Sequence, residues 1–479
     1  MSKLFESGHA IINVGLLAFR DAIAQAGGSV VQVEWAPPAG GDRATGWDLA
    51  RLTGHPAVER ANALAYANYL AAQPMLIDVD LARNQIAVLR ERVLLHAGPP
   101  IAWAETCGPM QGAAIGAVMF EGWAANVGAA RKLLDSGGIA FESTHDHATV
   151  GPMAGVVSPS MPVWVVENAS GGNRAYCTFN EGLGKALRFG AHSAEVIKRL
   201  QWMAAVMAPA LKATLAKLGP LELKPMMAQA LQMGDELHNR NAAASSLLLK
   251  QLVPAALRCK FDHAKMADAM SAIAGNDHFF LNLSMAACKA MLDAAHNVPD
   301  SSMVTAMSRN GVRFGIRLSG TGARWFEASA PIVHGLYFPT YGPEHAAPDM
   351  GDSSITETAG LGGFAMATAP AIVQFVGGTP DDAIANTREM THITLGRNNA
   401  FTLPAMNFTG TPAGIDARKV LDTNILPIIN TGIAHREAGV GQIGAGITRA
   451  PLECFAQAIV ALASSVAESE ATARAESAA

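Results

Sequence analysis

The stretch AIINVGLLAFRDAIAQAGGSVVQVEW, residues 10–35, indicates the fold class. Residues 10–15 form a short apolar run that is typical of a buried strand, and residues 16–26 have apolar positions at helical spacing. Two glycines then end the helix, and residues 29–35 alternate as a second strand does. Strand–helix–strand order predicts a small parallel sheet with right-handed crossovers.

The same order continues to residue 80. ERANALAYANYLAAQ, residues 59–73, predicts a second helix, and PMLIDVD, residues 74–80, predicts a third strand. A Pro-Pro pair at 99–100 is a plausible boundary. We therefore expect residues 1–100 to form an N-terminal Rossmann-like α/β domain.

Beyond residue 100 the pattern changes. Residues 193–295 have helical spacing almost throughout, and strands and glycine-rich loops return from residue 301. The expected fold class is α/β, with a small N-terminal Rossmann-like parallel sheet unit followed by a larger mixed α/β domain. That larger domain comprises residues 101–192 and 296–479, and residues 193–295 form a helical subdomain inserted into it.

The composition is typical of a large globular protein. Half of the residues are hydrophobic and only 16% are charged, which indicates extensive buried surface and favours an oligomer. A net charge of -5 without a dense Lys/Arg run does not support nucleic-acid binding. The apolar stretches fall short of the roughly 20 residues of a membrane-spanning helix, and MSKLFESGHA lacks the apolar core of a signal peptide. Five cysteines without C-x-x-C spacing favour a reducing compartment, so we expect a cytoplasmic protein.

Two polar runs interrupt apolar surroundings. STHDHATVGPMAG, residues 143–155, follows a predicted strand, and GDELHNRN, residues 234–241, lies between helical segments. Unpaired buried polar groups cost roughly 1–3 kcal/mol each, so both runs are expected to face a polar cavity. A solvated turn between two shorter helices is the alternative for the second run.

Three further runs place polar side chains beside predicted strands or helices. They are GGNRAYCTFNEG (171–182), SRNGVRFG (308–315) and GDSSITETAGLGG (351–363). Arginine next to asparagine predicts anion recognition, because the guanidinium fork fits carboxylate and phosphate. The expected substrate-binding residues are Asn173, Arg174, Asn239, Arg240, Asn241, Arg309, Asn310, Asp352, Thr356 and Thr358, and the expected catalytic residues are His145, His147, His238 and Glu357.

Two other motifs carry weaker signals. GVGQIG, residues 439–444, matches G-x-G-x-x-G but lacks the preceding strand of a dinucleotide site, so a phosphate-binding loop is the remaining possibility. On an extended strand His145 and His147 would face one side, and with His238 and Asp235 they could complete a zinc site. H-E-x-x-H and comparable motifs are absent from the sequence, and we expect neither a metal nor a cofactor.

Several long runs together resemble one known family. They include VEWAPPAGGD, THDHATVGPMAGVVSPSMPVWVVEN, GDELHNRNAAASSLL, GDSSITETAGLGGFAMATAPAIVQFVGG and INTGIAHREAGVGQIGAG. These runs resemble the bacterial YlbE-like family, the large subunit of oxamate carbamoyltransferase encoded beside allantoin-degradation genes. The resemblance implies reversible conversion of oxalurate and phosphate into oxamate and carbamoyl phosphate. The Ser-Thr-Arg-Thr and His-Pro-x-Gln motifs of established transcarbamylases are absent, so this chemistry would use an unrelated scaffold.

The residues above fit that chemistry. Both substrates are small anions, for which arginines are suited. Attack on the carbamoyl carbon builds negative charge on its oxygen, which imidazole or amide donors stabilise, and a base must accept the amide proton. The candidates are Arg174, Arg240 and Arg309 for the anions, His145, His147 or Asn239 for the developing charge, and His238 or Glu357 for the proton.

The resemblance also implies partners. The family enzyme works with two other subunits, one similar to acyl-CoA synthetases, so we expect a homo-oligomer and a hetero-complex with operon-encoded subunits. Two alternatives remain open. One is a metal-dependent amidohydrolase acting on a ureide, and the other is a non-catalytic assembly subunit whose partners hold the active site.

Overall fold

The N-terminal strand–helix–strand segment forms a parallel pair, as the sequence predicts, but the prediction that its first strand is buried is wrong, since Ile12 and Val14 are 69% and 57% exposed. In the computed structural model, which describes residues 10–33 and 35–478, Ala10–Val14 pairs in parallel with Ser29–Val33, and the helix Leu17–Gln25 joins them. Gly27 ends this helix with a positive φ of 80°. Glu34 and residues 1–9, on which the expectation about a signal peptide depends, lie outside the described residues.

The strands are short and distributed over several small sheets. In chain order they are β1 (Ala10–Val14), β2 (Ser29–Val33), β3 (Pro74–Leu81), β4 (Val93–His96), β5 (Ala140–Ser143), β6 (Thr149–Val150), β7 (Pro162–Asn168), β8 (Arg174–Thr178), β9 (Leu221–Glu222), β10 (Val304–Asn310), β11 (Arg313–Leu318), β12 (Phe326–Ser329), β13 (His334–Tyr337), β14 (Met350–Gly351), β15 (Thr394–Leu403), β16 (Thr409–Ile415), β17 (Ile428–Ala434) and β18 (Gln442–Arg449). The larger sheets have the strand orders β6-β8-β7-β3-β9, β12-β11-β10-β14 and β13-β18-β17.

Helices cover these sheets. In chain order they are α1 (Leu17–Gln25), α2 (Arg43–Leu52), α3 (Pro56–Ala71), α4 (Ala82–Gln85), α5 (Gly108–Phe120), α6 (Val127–Asp135), α7 (Ala194–Trp202), α8 (Ala208–Leu218), α9 (Leu223–Gln232), α10 (Ala242–Ala256), α11 (His263–Ala274), α12 (Leu281–Asp293), α13 (Ile355–Thr358), α14 (Val373–Val376), α15 (Pro380–Glu389), α16 (Ala417–Thr423) and α17 (Leu452–Ala478). A π-helical turn, Met203–Met207, connects α7 and α8. The mixed α/β class expected from the sequence is confirmed.

The third predicted strand does not extend the N-terminal parallel sheet. β3 pairs antiparallel with β7 and with the two-residue β9 instead. Leu76 and Val79 of β3 are buried in the largest apolar core, which also contains Trp164 and Val166 of β7. β3 pairs with β7 because this pairing buries the apolar side chains of both strands in one core and so removes them from water.

The segment 193–295 consists of helices and the turns between them, apart from β9. Side chains of α8, α9, α10 and α12 belong to the same apolar core as β3 and β7. α12 is buried along its whole length, from Leu281 to Leu292. The division of the chain into three domains remains a prediction.

The last helix is apolar. By length and composition alone, Leu452–Thr472 is a candidate membrane span, so the expectation that all apolar stretches are too short is wrong for this helix. Cys454, Phe455, Ile459 and Leu462 are nevertheless fully buried in the apolar core that β10 and β11 also line. The packing is that of a core helix against a sheet.

Candidate functional site

The first polar run lies in a tight turn at the end of a parallel strand pair. β4 and β5 run in parallel register up to His96 opposite Ser143, and a 3₁₀ turn, Thr144–His147, follows. A 3₁₀ turn rotates successive side chains by about 120°, so the two histidines do not share a side, as they would on the extended strand considered above. His145 is buried, whereas His147 is partly exposed and its Nε2 lies 2.6 Å from Glu142.

Asp352 is the buried centre of the first cluster. Its carboxylate accepts hydrogen bonds from the backbone N–H groups of Gly98 and Gly151, both at 2.8 Å, and from the hydroxyls of Thr144 and Ser308. His145 Nε2 lies 3.5 Å from Asp352 Oδ1. Burial acts to raise the pKa of Asp352, but His145 and these hydrogen bonds outweigh it, and the pKa lies below its ordinary value. Asp352 is therefore an ionised carboxylate that ties the 144–147 turn to β10.

An arginine and an indole lie beside His145. The Trp325 ring meets the His145 ring edge-on with 5.4 Å between centroids, and the Arg317 guanidinium lies 4.3 Å from the Trp325 ring. Arg317 also forms an ion pair with Asp146. Burial lowers the pKa of His145, partly opposed by Asp352. We call this cluster of side chains, together with the buried His96 at the end of β4, the His145 chamber.

The second cluster is built around a buried histidine–glutamate pair. His238 Nδ1 lies 2.8 Å from Glu357 Oε1, and both side chains are almost wholly buried. The same carboxylate accepts hydrogen bonds from the backbone N–H of Gly363 at 2.9 Å and from the Thr356 hydroxyl at 3.0 Å. Gly362 has a φ of 54°, and a Cβ there would overlap the Glu357 carboxylate, so glycine is required at this position.

A tight turn presents the residues that follow His238. Glu236 is fully buried and accepts backbone N–H groups of Asn239 and Arg240, while Leu237 takes the left-handed conformation with φ 69°. Burial raises the pKa of Glu236 to about 7, although these hydrogen bonds oppose the rise. The polar run is a turn between α9 and α10, but it is a buried one held by Glu236.

This turn forms one wall of a pocket of about 200 Å³. Asn239, Arg240 and Asn241 line it together with His278 and with Gln442 of β18. Arg240 donates through Nε to Gly234 O at 3.2 Å, and its terminal nitrogens have no hydrogen-bond partner in residues 10–33 and 35–478. Burial lowers the pKa of His278 to about 4, and the Arg188 guanidinium contributes. We call this cavity the Arg240 pocket.

Three asparagines near the His238–Glu357 pair keep unpartnered amide atoms. Among the described residues, Asn239 Nδ2, Asn241 Oδ1 and both side-chain atoms of Asn430 are buried without a hydrogen-bond partner. The backbone N–H of Asn430 points to Glu357 Oε1 at 3.4 Å, so Asn430 lies directly against the pair. Because native proteins satisfy most buried polar atoms, these amide groups indicate a site that binds a polar molecule.

One short segment connects the two clusters. Asp352 begins a 3₁₀ turn, Asp352–Ser354, and Glu357 lies in α13, which follows directly. Thr356 and Thr358 are buried; the Thr358 hydroxyl donates to Ser354 O, and the single hydroxyl proton of Thr356 is shared between Ser353 O and the Glu357 carboxylate. The polar runs thus form two clusters joined by residues 352–358, and not one common chamber.

Comparison with known proteins identifies the family. A family model described as "Oxamate carbamoyltransferase subunit AllG" matches residues 139–353. The AllG subunit of Escherichia coli K12 is 49% identical over 412 residues, which cover 85% of this chain and 98% of the relative. The chain belongs to the AllG family. The resemblance inferred from the sequence runs is thereby confirmed.

Two further proteins share this similarity. The uncharacterised protein YahG of Escherichia coli K12 is 44% identical over 461 residues, covering 96% of this chain and 98% of the relative. A crystal structure of a conserved protein of unknown function from Enterococcus faecalis V583 superimposes with a TM-score of 0.84 at 45% identity, covering 85% of this chain and 98% of that chain. The AllG match at residues 139–353 contains His145, His238 and Asp352 and stops short of Glu357.

Arg309 and Asn310 bind protein groups in the structure. The Arg309 guanidinium forms a two-point ion pair with Asp349 at 2.6 and 2.8 Å and donates its other protons to Gly351 O, Ser353 and Thr431. All five N–H donors are used, which leaves none for a substrate anion. Asn310 donates to Pro99 O and accepts from the backbone of the β10–β11 turn. Both residues position the sheet that holds Asp352.

The structure does not bring Asn173, Arg174 or His147 to either cluster. Arg174 lies on the surface in an ion pair with Glu167 at 2.8 Å. Asn173 bonds Asn168 and the carbonyl of Ala290. His147 pairs with Glu142, as described above. Both arginine–asparagine pairs, at 173–174 and 309–310, are thus engaged within the protein.

Sequence reasoning missed several polar residues of the two clusters. Asn430 lies in INTGIA, which has the apolar pattern of β17, and Arg317 lies in RFGIRLSG, the pattern of β11. A buried polar side chain within an apolar strand was the available signal for both. Glu236 lies in the run 234–241 that the sequence analysis singled out, but it was not named as a site residue, and His96 and His278 gave no signal beyond their residue type.

The structure also bears on the zinc and dinucleotide alternatives. Within residues 10–33 and 35–478, no group of three or more His, Cys, Asp or Glu side chains is placed to hold a metal ion. His145 faces Asp352, His147 faces Glu142 and His238 faces Glu357. GVGQIG leads from β17 into the antiparallel β18, whereas a dinucleotide fingerprint requires a strand-to-helix turn.

Proposed function

We propose that this chain is a carbamoyltransferase subunit that moves a carbamoyl group between carbamoyl phosphate and oxamate, or a similar small amide or ureide. Its AllG relative is named as an oxamate carbamoyltransferase subunit. The observation that carries the proposal is the set of unpartnered asparagine amides beside the His238–Glu357 pair. We place the reaction where the Arg240 pocket meets this pair: Asn239, Arg240 and Asn241 of the pocket wall follow His238 directly in the chain, although His238, Glu357 and Asn430 are not among the residues that line the pocket.

The asparagines suit amide substrates. Asn239 Nδ2 can donate to a carbonyl oxygen, Asn241 Oδ1 can accept from an N–H group, and the Asn430 amide can do both. Oxamate and oxalurate each present adjacent carbonyl and N–H groups. A site whose buried polar atoms need such partners discriminates strongly against molecules that lack them.

Arg240 supplies the charge for an anion. Its terminal guanidinium nitrogens are free of hydrogen bonds from the described residues, and it lines the pocket. Both reactants carry a carboxylate or a phosphate group, for which a guanidinium fork is suited. Of the three arginines expected to bind the anion, Arg309 is fully hydrogen-bonded within the protein and Arg174 pairs with Glu167 on the surface, so we assign the anion to Arg240.

The His238–Glu357 pair suits proton transfer. A carboxylate at Nδ1 holds the proton there and leaves the Nε2 lone pair free to act as a base. In the direction of oxalurate synthesis, the oxamate nitrogen attacks the carbamoyl carbon of carbamoyl phosphate. A C–N bond forms, and the C–O bond to phosphate breaks. His238 accepts the proton that the nitrogen loses, and phosphate departs with the bonding electron pair. The side-chain N–H groups of Asn239 and Asn430 stabilise the negative charge that develops on the carbamoyl oxygen.

The proposal includes an assembly. The word "subunit" in the name of the relative supports a complex with other chains. We propose operon-encoded partner subunits, one similar to acyl-CoA synthetases, a homo-oligomeric arrangement of this chain, and a cytoplasmic location.

A phosphorolysis assay tests the function. Purified chain, alone and with the products of neighbouring genes, receives oxalurate and phosphate while carbamoyl phosphate is measured. We expect carbamoyl phosphate to form with at least one combination and to be lost when that combination contains His238→Gln. Failure of every combination with oxalurate and with other ureides overturns the proposal, as does full activity of His238→Gln.

A further inference from the structure

A second set of unpartnered polar atoms lies in the His145 chamber. Among the described residues, Arg317 Nε, Trp325 Nε1, His96 Nε2 and His145 Nδ1 are buried and have no hydrogen-bond partner. None of these residues lines the Arg240 pocket. Each such atom costs roughly 1–3 kcal/mol if it stays unpaired, so several in one region point to a bound group.

Arg317 and His145 both contact the Trp325 indole ring, while His96 stacks on Phe141 with 4.4 Å between ring centroids. The Arg317 guanidinium lies over the Trp325 ring at 4.3 Å, and the His145 ring meets its edge at 5.4 Å. Gly315 allows this arrangement, because a Cβ there would come within 2.9 Å of Trp325 Cε3. His96 lies at the end of β4 opposite Ser143, two residues before His145.

The donor and acceptor character of each atom can be assigned. Arg317 Nε and Trp325 Nε1 are obligate donors. His96 Nδ1 lies 2.8 Å from the carbonyl of Ala97, which only accepts, so Nδ1 holds the proton. Burial lowers the pKa of His96, so the ring is neutral and Nε2 is an acceptor.

His145 follows the same reasoning. Its Nε2 lies 3.5 Å from the ionised Asp352 carboxylate without hydrogen-bond geometry, and we place the proton of the neutral ring there because the carboxylate attracts it. Burial lowers the pKa of His145 as well, and Nδ1 is left as an acceptor. The chamber thus offers two donors and two acceptors.

We infer that the His145 chamber binds a primary carboxamide or ureido group, separately from the Arg240 pocket. The carbonyl oxygen accepts from Arg317 and Trp325, and the N–H groups donate to His96 and His145. A carboxylate, or a phosphate dianion, has only hydrogen-bond acceptors. Its oxygens would be repelled by the lone pairs of the two imidazole nitrogens. The inference goes beyond the transfer reaction proposed above and does not depend on it.

Fluorine NMR of the full chain labelled with 5-fluorotryptophan tests this inference. The chain has seven tryptophans, and Trp325→Phe assigns the Trp325 signal. The probes are acetamide and acetate, which differ only in the amide or carboxylate group. We expect acetamide to shift the Trp325 signal saturably and acetate to bind at least about tenfold more weakly, since it leaves acceptors unpaired.

Variants locate the binding. His96→Phe and His145→Phe should each weaken acetamide binding, whereas His147→Gln in the same turn and Arg240→Gln in the other pocket should leave it unchanged. The other tryptophan signals report whether each variant is folded. A chamber that holds only water gives no saturable shift and overturns the inference, as does equal binding of acetate. Loss of the acetamide-induced shift in Arg240→Gln alone would assign the ligand to the Arg240 pocket and overturn the inference. The phosphorolysis assay measures a different quantity, so its outcome does not decide this one.

Discussion

Asp352 and Glu357 lie five residues apart, and the carboxylate of each faces a different buried histidine. Asp352 Oδ1 is 3.5 Å from His145 Nε2, and Glu357 Oε1 is 2.8 Å from His238 Nδ1. The carboxylate at Nε2 in one pair and at Nδ1 in the other fixes opposite tautomers. His145 keeps Nδ1 as its free acceptor, whereas His238 keeps Nε2. One segment thus sets the proton positions of both clusters.

Glu357→Gln should separate the tautomer from the packing. The amide has the same shape, but it does not hold a proton on Nδ1 as a carboxylate does, so His238 loses its preference for a basic Nε2. We expect turnover in the phosphorolysis assay to fall about 100-fold or more, within the range that a general base contributes. Thr356→Val, which removes one hydrogen bond to the same carboxylate, is the control and should retain most activity. Turnover within twofold of the parent in Glu357→Gln would contradict the role.

Arg240→Gln should weaken substrate binding with little effect on folding. The side chain lines the pocket and donates one hydrogen bond, to Gly234 O. Removing the cation should raise the KM of the anionic substrate at least about tenfold, as expected for the loss of a charged hydrogen bond. Arg174→Gln removes an exposed ion pair with Glu167 and should leave KM unchanged. The opposite ranking of the two variants would place the anion elsewhere.

The contrast between these arginines shows what the sequence could predict. Polar runs in apolar surroundings correctly indicated buried polar clusters, because the cost of unpaired groups holds in any fold. The partner of each arginine was not predictable, since Asp349, which occupies Arg309, lies 40 residues further along the chain. The same holds for β3, whose apolar pattern fits a strand in any sheet and whose antiparallel partner β7 follows about 80 residues later.

Local geometry limited the histidine prediction in another way. His145 and His147 are two residues apart, and the expected shared face depended on an extended strand that ends at Ser143. Asn430 was missed because β17 reads as an apolar strand in which one amide has little weight. Spacing rules apply only once the local conformation is known.

Arg309→Met should destabilise the protein without changing substrate affinity. It leaves the buried Asp349 carboxylate without its partner, and breaking a buried ion pair costs about 3–5 kcal/mol. Urea unfolding measures the loss. The double variant Arg309→Met, Asp349→Leu should regain most of it, because no unpaired charge remains. A loss below about 1 kcal/mol, or a raised KM in the folded fraction, would contradict the internal role.

Glu236 should make stability depend on pH near neutrality. Burial raises its pKa from 4.5 to about 7 in the folded protein, so the folded state binds a proton that the unfolded chain has released. Its contribution to stability is complete below pH 4.5 and is lost as the pH rises through 7. A shift of this size corresponds to about 3 kcal/mol.

Glu236→Gln removes this titration, so the comparison isolates it. The free energy of unfolding, measured in urea from pH 4.5 to 8, should fall with pH in the parent relative to Glu236→Gln. Glu91→Gln changes an exposed carboxylate and should run parallel to the parent. Parallel curves for the parent and Glu236→Gln would show that Glu236 is ionised throughout. The turn that carries Asn239 and Arg240 would then be held by a carboxylate at every pH, and activity would not depend on protonation of Glu236.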